Sequence, residues 1–177
     1  VVTPIEAGLR MGVLWDLHLR ATKRDRREQS AREFLQRFKV DEKRAEQAAQ
    51  VASSFLGLLK PSDDTYTKLL FWSGLLHEVG LVVSHSGYHK HAAYMVENAD
   101  LPGFTTREQR VMSNLVLAQK GNLRKVAEQL NDSDFAKSVL ALRLALMFMH
   151  ARIEVAADEV RLRMKKGIEL ELSLIHI

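Results

Sequence analysis

Four of the seven histidines lie within fifteen residues of one another, and a carboxylate directly follows the first of them. Imidazole and carboxylate side chains together can hold a divalent metal ion or a phosphate-bearing ligand. Histidines also cap helices and satisfy buried backbone groups, so a purely structural role is the alternative reading. The group consists of His77, Glu78, His85, His89 and His91.

Two predicted helices and the loop between them must position this group. A strongly apolar helix is predicted from about residue 65 to residue 79, with Ser62 or Asp63 as its N-cap. A helix that is apolar on most faces normally forms the buried centre of a domain. After a loop over residues 80–87, residues 89–98 form an amphipathic helix, and a turn follows at residues 101–103.

The rest of the chain also has helical periodicity. A helix ends near Lys39, Asp41 caps the next one, and Pro61 ends it. Thr105 and Glu108 fit a capping box for a helix that stops at Gly121. A short helix is predicted at residues 124–130, and a long one at residues 134–156, capped at residue 132 or 133. Partial alternation over residues 169–177 also predicts a late strand.

Composition favours one globular all-α domain. Of 177 residues, 46% are apolar and only three are proline, so disorder is not expected and helices are. Cysteine is absent, which excludes disulfides and Cys-ligated zinc and agrees with a cytoplasmic location. No apolar run approaches the roughly 20 residues that span a bilayer, so no membrane partner is expected.

Positive charge is unevenly distributed. The net charge is +4, but residues 20–39 hold eight Lys/Arg against three Asp/Glu, and Arg161, Arg163, Lys165 and Lys166 form a second basic group. Such groups are solvated helix faces or steer a polyanion toward the protein. The aromatic residues are few and are not interleaved with the basic run, which argues against nucleic acid as the partner.

Three segments resemble the C-terminal region of the exopolyphosphatase / guanosine pentaphosphate phosphohydrolase family. The densest resemblance lies in residues 75–104, L-L-H-E-V-G-L-V-V-S-H-S-G-Y-H-K-H-A-A-Y-M-V-E-N-A-D-L-P-G-F. Residues 8–17, G-L-R-M-G-V-L-W-D-L, and residues 138–152, S-V-L-A-L-R-L-A-L-M-F-M-H-A-R, resemble two further family segments. The resemblance implies a helical domain related to the HD-type metal phosphohydrolases.

The expected architecture is an HD-like bundle of about six to eight helices with a short C-terminal strand. The resemblance implies a connecting helix at residues 1–20, the helical domain at residues 21–160, and the start of a further element at residues 161–177. In whole family members an actin-like half carries the catalytic Glu and binds Mg²⁺. That half has no counterpart among these 177 residues.

The metal ligands of a working HD-type site are mostly replaced here. Where family resemblance leads us to expect a His on the early helix, this sequence has Gln47 and Gln50. Gln119 stands at a later ligand position, and the last Asp is missing. Neutral amides are poor ligands beside imidazole, so His77 and Glu78 are interpreted as a vestigial metal pair. No residue is assigned as catalytic, and no metal or cofactor is expected in this fragment.

The resemblance implies hydrolysis of terminal phosphates from inorganic polyphosphate by the intact enzyme. This fragment would bind polyphosphate and form a homodimer without catalysing the reaction itself. The candidate phosphate contacts are His85, His89, Lys90 and His91, together with basic residues of segment 20–39. Three alternatives remain: guanosine pentaphosphate as the substrate, a metal-dependent HD-type phosphohydrolase, and a structural dimerisation domain without a ligand.

Overall fold

Helices dominate the computed structural model, which describes residues 26–152, 160–164 and 168–172. The proposed connecting helix at residues 1–20 lies outside this part. The helices are α1 (26–37), α2 (Glu42–Leu59), α3 (Asp64–Leu75), α4 (Tyr88–Asn98), α5 (Thr106–Ala118) and α6 (Ser133–Ala151). Short 3₁₀ helices cover Val79–Val82, Leu123–Val126 and Gln129–Asn131. The predicted all-α bundle is confirmed.

Side-chain caps begin these helices where the sequence indicated. The Asp41 and Asp63 carboxylates accept backbone N–H groups in the first turns of α2 and α3. Asp132 accepts two such bonds at the start of α6. Thr105 and Glu108 form both hydrogen bonds of the capping box before α5. Each cap satisfies amides that have no partner within the helix, which fixes the helix start.

The buried apolar side chains form two clusters, and α2 contributes residues to both. The first cluster joins α2 to α6 and contains Phe55, Leu142 and Phe148. The second cluster joins α1, the 3₁₀ helix after α3, α4 and α5, and Leu35 and Val96 are fully buried within it. Burial of these side chains is the main stabilising contribution to the bundle. Among the described helices, none is long and apolar enough to cross a membrane.

Three predicted helices differ from the structure. The central helix α3 ends at Leu75 and not near residue 79, because the chain turns and continues as a 3₁₀ helix. The residues stay apolar through this change, so periodicity does not reveal it. The single helix expected at 124–130 is two 3₁₀ helices. Helix α6 ends before residue 156, since Arg152 adopts a left-handed conformation with φ of 56°.

A hairpin of two antiparallel strands follows the helices. The strands are β1 (Val160–Met164) and β2 (Ile168–Leu172), and Leu162 faces Leu170 across the ladder. Val160 and Leu162 are buried in the first apolar cluster, so β1 packs on the helical core. The sequence predicted a strand near β2 and missed β1, where the alternating arginines were interpreted as a basic group. The predicted boundary at residue 160 stays a prediction.

Candidate functional site

His77 lies in the turn between α3 and the following 3₁₀ helix, and its side chain is fully buried. Its Nδ1 lies 2.6 Å from the carbonyl oxygen of Gly74, and since a carbonyl only accepts, Nδ1 carries the proton. Burial lowers the pKa of His77, so its imidazole is neutral. Its Nε2 has no hydrogen-bond partner among the described residues.

The carboxylate of Glu78 is paired with an arginine. Arg44 Nε of α2 lies 3.1 Å from Glu78 Oε1, while His77 Nε2 lies 3.6 Å from the same oxygen. Arg44 also lies 3.5 Å from Nδ1 of His150 at the end of α6. Behind the pair, Gln119 Nε2 donates to the backbone oxygen of His77 over 3.1 Å. The positive charge beside Glu78 is therefore a guanidinium.

These residues do not fit a metal ion. Within the part of the chain that is described, no three His, Cys, Asp or Glu side chains come close enough to hold one. A guanidinium in contact with Glu78 also repels a divalent cation and uses the lone pairs that would bind it. Gln47 and Gln50, the residues at the predicted early-helix ligand position, are exposed on α2. Arg44 takes that place beside the pair.

His89 is the buried member of the candidate phosphate group. It lies in the first turn of α4 with 7% of its surface exposed, and Lys125 Nζ approaches its Nε2 to 2.9 Å. An ammonium only donates, so Nε2 is the acceptor and Nδ1 carries the proton. Partial burial, together with the nearby positive charge of Lys125, lowers the pKa of His89. Burial and the charges of Lys90 and Arg143 likewise lower the pKa of Lys125.

Further positive groups surround this contact. Lys90, His91 and Lys120 all lie close enough to His89 to lower its pKa electrostatically. Lys120 Nζ lies 5.4 Å from the centre of the Tyr88 ring, a cation–π distance. Lys90 and Lys120 are exposed to solvent. We call this group the cationic cluster, and its members are His89, Lys90, His91, Lys120 and Lys125.

The cationic cluster includes three of the four predicted phosphate contacts. His85 is exposed in the loop before α4, and its side chain makes no hydrogen bond within the described structure. Sequence reasoning missed Lys120 and Lys125, which come from the connection after α5. Gly121 has a φ of 78°, and a Cβ there would stand 3.7 Å from Lys125 Nζ. The sequence signal that could have identified Lys120 was its position directly before Gly121, at the end of a predicted helix.

Glycine fixes the loop that carries these side chains. A Cβ at Gly80 would overlap the backbone oxygen of Tyr88 and lie 2.5 Å from the amide nitrogen of Ala92. Only glycine therefore allows the 3₁₀ helix to lie directly against α4. Gly87 precedes α4 with a φ of 69°, a left-handed conformation that glycine adopts without steric cost. Together they set the position of the α4 N-terminus.

The basic residues near residue 30 are used differently. Arg27 donates to the backbone oxygen of Gly103 and pairs with Glu108, both at 2.8 Å. Arg32 pairs with Glu28 and, at 3.4 Å, with Glu42. These arginines therefore neutralise carboxylates within the fold. In the described residues of segment 20–39, less positive charge is therefore left to bind an anion than the sequence indicated.

Comparisons with known proteins define the class to which this fold and site belong. The sequence model described as Ppx/GppA phosphatase, domain III matches residues 26–176. The chain belongs to the Ppx/GppA phosphatase family and corresponds to its domain III. It is 31% identical over 173 residues to the guanosine-5'-triphosphate,3'-diphosphate pyrophosphatase of Pseudoalteromonas translucida (strain TAC 125). That alignment covers 90% of this chain and 34% of the relative, so the chain spans about a third of its length.

Proposed function

We propose that this chain is the polyanion-binding domain of an exopolyphosphatase. The cationic cluster holds part of an inorganic polyphosphate chain, and hydrolysis of the terminal phosphate takes place in residues that are not part of this sequence. The Mg²⁺ that the family resemblance implies belongs to those residues, since the donor set around His77 and Glu78 does not fit a metal. A cytoplasmic location and a homodimer are part of the same proposal.

The contact between Lys125 and His89 carries this proposal. Both groups have lowered pKa values, because each is partly removed from water beside other positive charges. No carboxylate pairs with Lys90, Lys120 or Lys125 in the described part of the protein. Crowded cations without a counter-ion are an unfavourable arrangement that a bound anion relieves. The cluster therefore favours an anion with several charged oxygens.

The position of the cluster suits an extended polyanion. His89 and Lys90 lie in the first turn of α4. Backbone amides at a helix N-terminus, together with the helix dipole, favour phosphate. The exposed ammonium groups of Lys90 and Lys120 come from two different segments, so they can contact different phosphates. Polyphosphate presents a charge on every unit, which matches several separate cations better than one isolated phosphate does.

Guanosine pentaphosphate is the second candidate ligand for the whole protein. It is supported by the name of the relative from Pseudoalteromonas translucida, which is 31% identical to this chain. This substrate also carries adjacent phosphates that the same cations could hold. Binding measured with polyphosphate and with guanosine pentaphosphate in parallel separates the two.

The homodimer has its own support on the surface. Val82 and Val83 are each 57% exposed, side by side in the segment before the histidine loop. A second copy of the chain that covers this pair would remove its apolar surface from water. Sedimentation equilibrium of the 177-residue chain tests this part: a dimer supports it, and a monomer at all concentrations contradicts it.

Calorimetric titration with long-chain polyphosphate at two salt concentrations tests the binding proposal. We expect salt-sensitive binding that Lys125→Glu and Lys90→Glu weaken by about tenfold or more. Lys68→Glu is the matched control, since Lys68 is an exposed lysine on α3 outside the cluster. Equal losses in all three variants, or no binding at low salt, would refute the proposal.

A further inference from the structure

A cavity of about 580 Å³ lies between the end of α5, the 3₁₀ helix that follows it, and α6, with the β-hairpin at its mouth. This volume is in the range of small-molecule sites, roughly 300–1,000 Å³. The cavity adjoins the cationic cluster at Tyr88 and Lys120, and its lining does not include His89. The proposed binding of polyphosphate does not explain this cavity.

The floor and the mouth of the cavity are apolar. Leu123, Leu130, Val139 and Leu144 line the interior. Met147 and Ile168 stand at the mouth, and they are 53% and 60% exposed, respectively. Side chains of this kind lose water most favourably against an apolar or flat aromatic group. A fully hydrophilic ligand would not contact this apolar surface favourably.

The polar part of the lining is cationic. It includes Lys120 and Arg143, and the cavity residues in the described structure include no Asp or Glu. Arg143 is held in place by the backbone oxygens of Gly121, at 3.1 Å, and Ala118, at 3.5 Å. Gln119 also lines the cavity and is 5% exposed, and its Oε1 has no hydrogen-bond partner among the described residues. A fixed guanidinium beside an apolar floor is suited to one phosphate or carboxylate.

We infer that this cavity binds an amphiphilic anion. Its apolar or heteroaromatic body lies against Leu144 and Met147, and its phosphate or carboxylate group contacts Arg143 and Lys120. The two parts of the lining require the two parts of the ligand. A neutral apolar molecule would bury the cations without a partner, and a bare polyanion would leave the leucines in water.

Methionine methyl groups report directly on this site. The chain has six methionines, of which Met147 and Met164 line the cavity, whereas Met95 packs on the second apolar cluster. The experiment records ¹³C-methyl NMR spectra of the 177-residue chain during titration with decanoate and, separately, with guanosine monophosphate. We expect at least one probe to shift the Met147 and Met164 signals saturably and to leave Met95 unchanged. The probe that does so identifies the ligand as a lipid-like carboxylate or a nucleotide.

Substitution at the cavity mouth provides the matched comparison. Met147→Glu places a negative charge beside the anion and should weaken binding of the active probe by about tenfold or more, while Met147→Gln weakens it less. Met147 is half exposed, so both variants fold. Met147→Gln adds no charge beside Lys120 and retains polyphosphate binding, which separates this site from the cationic cluster. Saturation that Met147→Glu does not affect would overturn the inference. So would methyl shifts that follow protein concentration without any probe, since these assign the face to a second copy of the chain.

Discussion

The ammonium nitrogen of Lys125 lies 2.9 Å from Nε2 of His89, although 36 residues separate the two in sequence. The contact requires a neutral imidazole whose Nε2 lone pair points at Lys125. His89 is therefore held neutral beside a charged Lys125, and a nearby anion would change the protonation state of the imidazole. An anion beside them stabilises the charged form of each, so ligand binding and protonation at this site are linked.

Removal of the Lys125 charge should raise the pKa of His89. Lys125→Gln takes away a positive neighbour and an ammonium donor that favours neutral imidazole. NMR titration of the His89 ring protons measures the change. Lys68→Gln removes the same charge on α3 and should leave the His89 pKa unchanged. An unaltered His89 pKa in Lys125→Gln would contradict the contact.

Loss of the Arg44 guanidinium should destabilise the fold. Arg44→Met leaves the Glu78 carboxylate, whose side chain is 10% exposed, without its partner. We expect the free energy of unfolding to fall by about 1–3 kcal/mol in urea denaturation. Addition of Glu78→Gln to this variant should restore part of the loss, because the unpaired charge is gone.

The control for that prediction is a more exposed ion pair. Arg32→Met breaks the pair with Glu28, whose side chains are about half exposed, and should cost at most about 1 kcal/mol. Equal losses for Arg44→Met and Arg32→Met would show that the environment of Glu78 contributes nothing. Mn²⁺ should not stabilise either variant or the unchanged chain, since the donor set does not fit a metal.

Acid should destabilise the protein through His77. Burial lowers its pKa in the folded state, so below its ordinary pKa the unfolded chain binds a proton that the folded chain does not. The free energy of unfolding then falls, by up to about 1.4 kcal/mol per pH unit for this one group, as the pH drops below about 6.5. Stability is retained above that pH. Urea denaturation at several pH values between 5 and 7 measures the slope.

Two substitutions separate His77 from the other histidines. His77→Asn keeps a donor near the Nδ1 position and does not titrate, so the slope should become shallower. His85→Asn, in the exposed loop, should leave it unchanged. A slope that His77→Asn does not alter would mean that other groups cause the acid sensitivity.

A methyl group at Gly80 should disturb the histidine loop. Gly80→Ala places a Cβ against the backbone of α4, so either the 3₁₀ helix or α4 must move. We expect a loss of about 1–3 kcal/mol or more in the free energy of unfolding, together with weaker polyphosphate binding. Gly57→Ala in α2 meets open space and should stabilise the protein by about 0.5–1 kcal/mol. Unchanged stability in Gly80→Ala would contradict the close packing.

Local signals in the sequence predicted most of the fold. The caps at Asp41 and Asp132 and the capping box at Thr105 depend on neighbouring residues only, and each was found where expected. The end of α3 was placed too late, because its residues stay apolar while hydrogen bonding changes. Strand β1 was missed because its alternating arginines were interpreted as charge and not as a strand pattern.

The candidate site was predictable only in part. His89, Lys90 and His91 are neighbours in the chain and were identified together. Lys125 and Arg44 reach the site from other elements, and only tertiary packing brings them there. Neither is distinguished in the sequence from the many solvated lysines and arginines.

The pKa of His89 with and without polyphosphate tests the central claim most directly. NMR titration of the His89 ring in the 177-residue chain should give a value below the ordinary 6.5 for free protein. Long-chain polyphosphate should raise it, because the bound anion stabilises imidazolium. Lys90→Glu, which weakens binding, should reduce that rise. A His89 pKa that stays the same at polyphosphate concentrations far above those that saturate binding would contradict phosphate binding at this cluster.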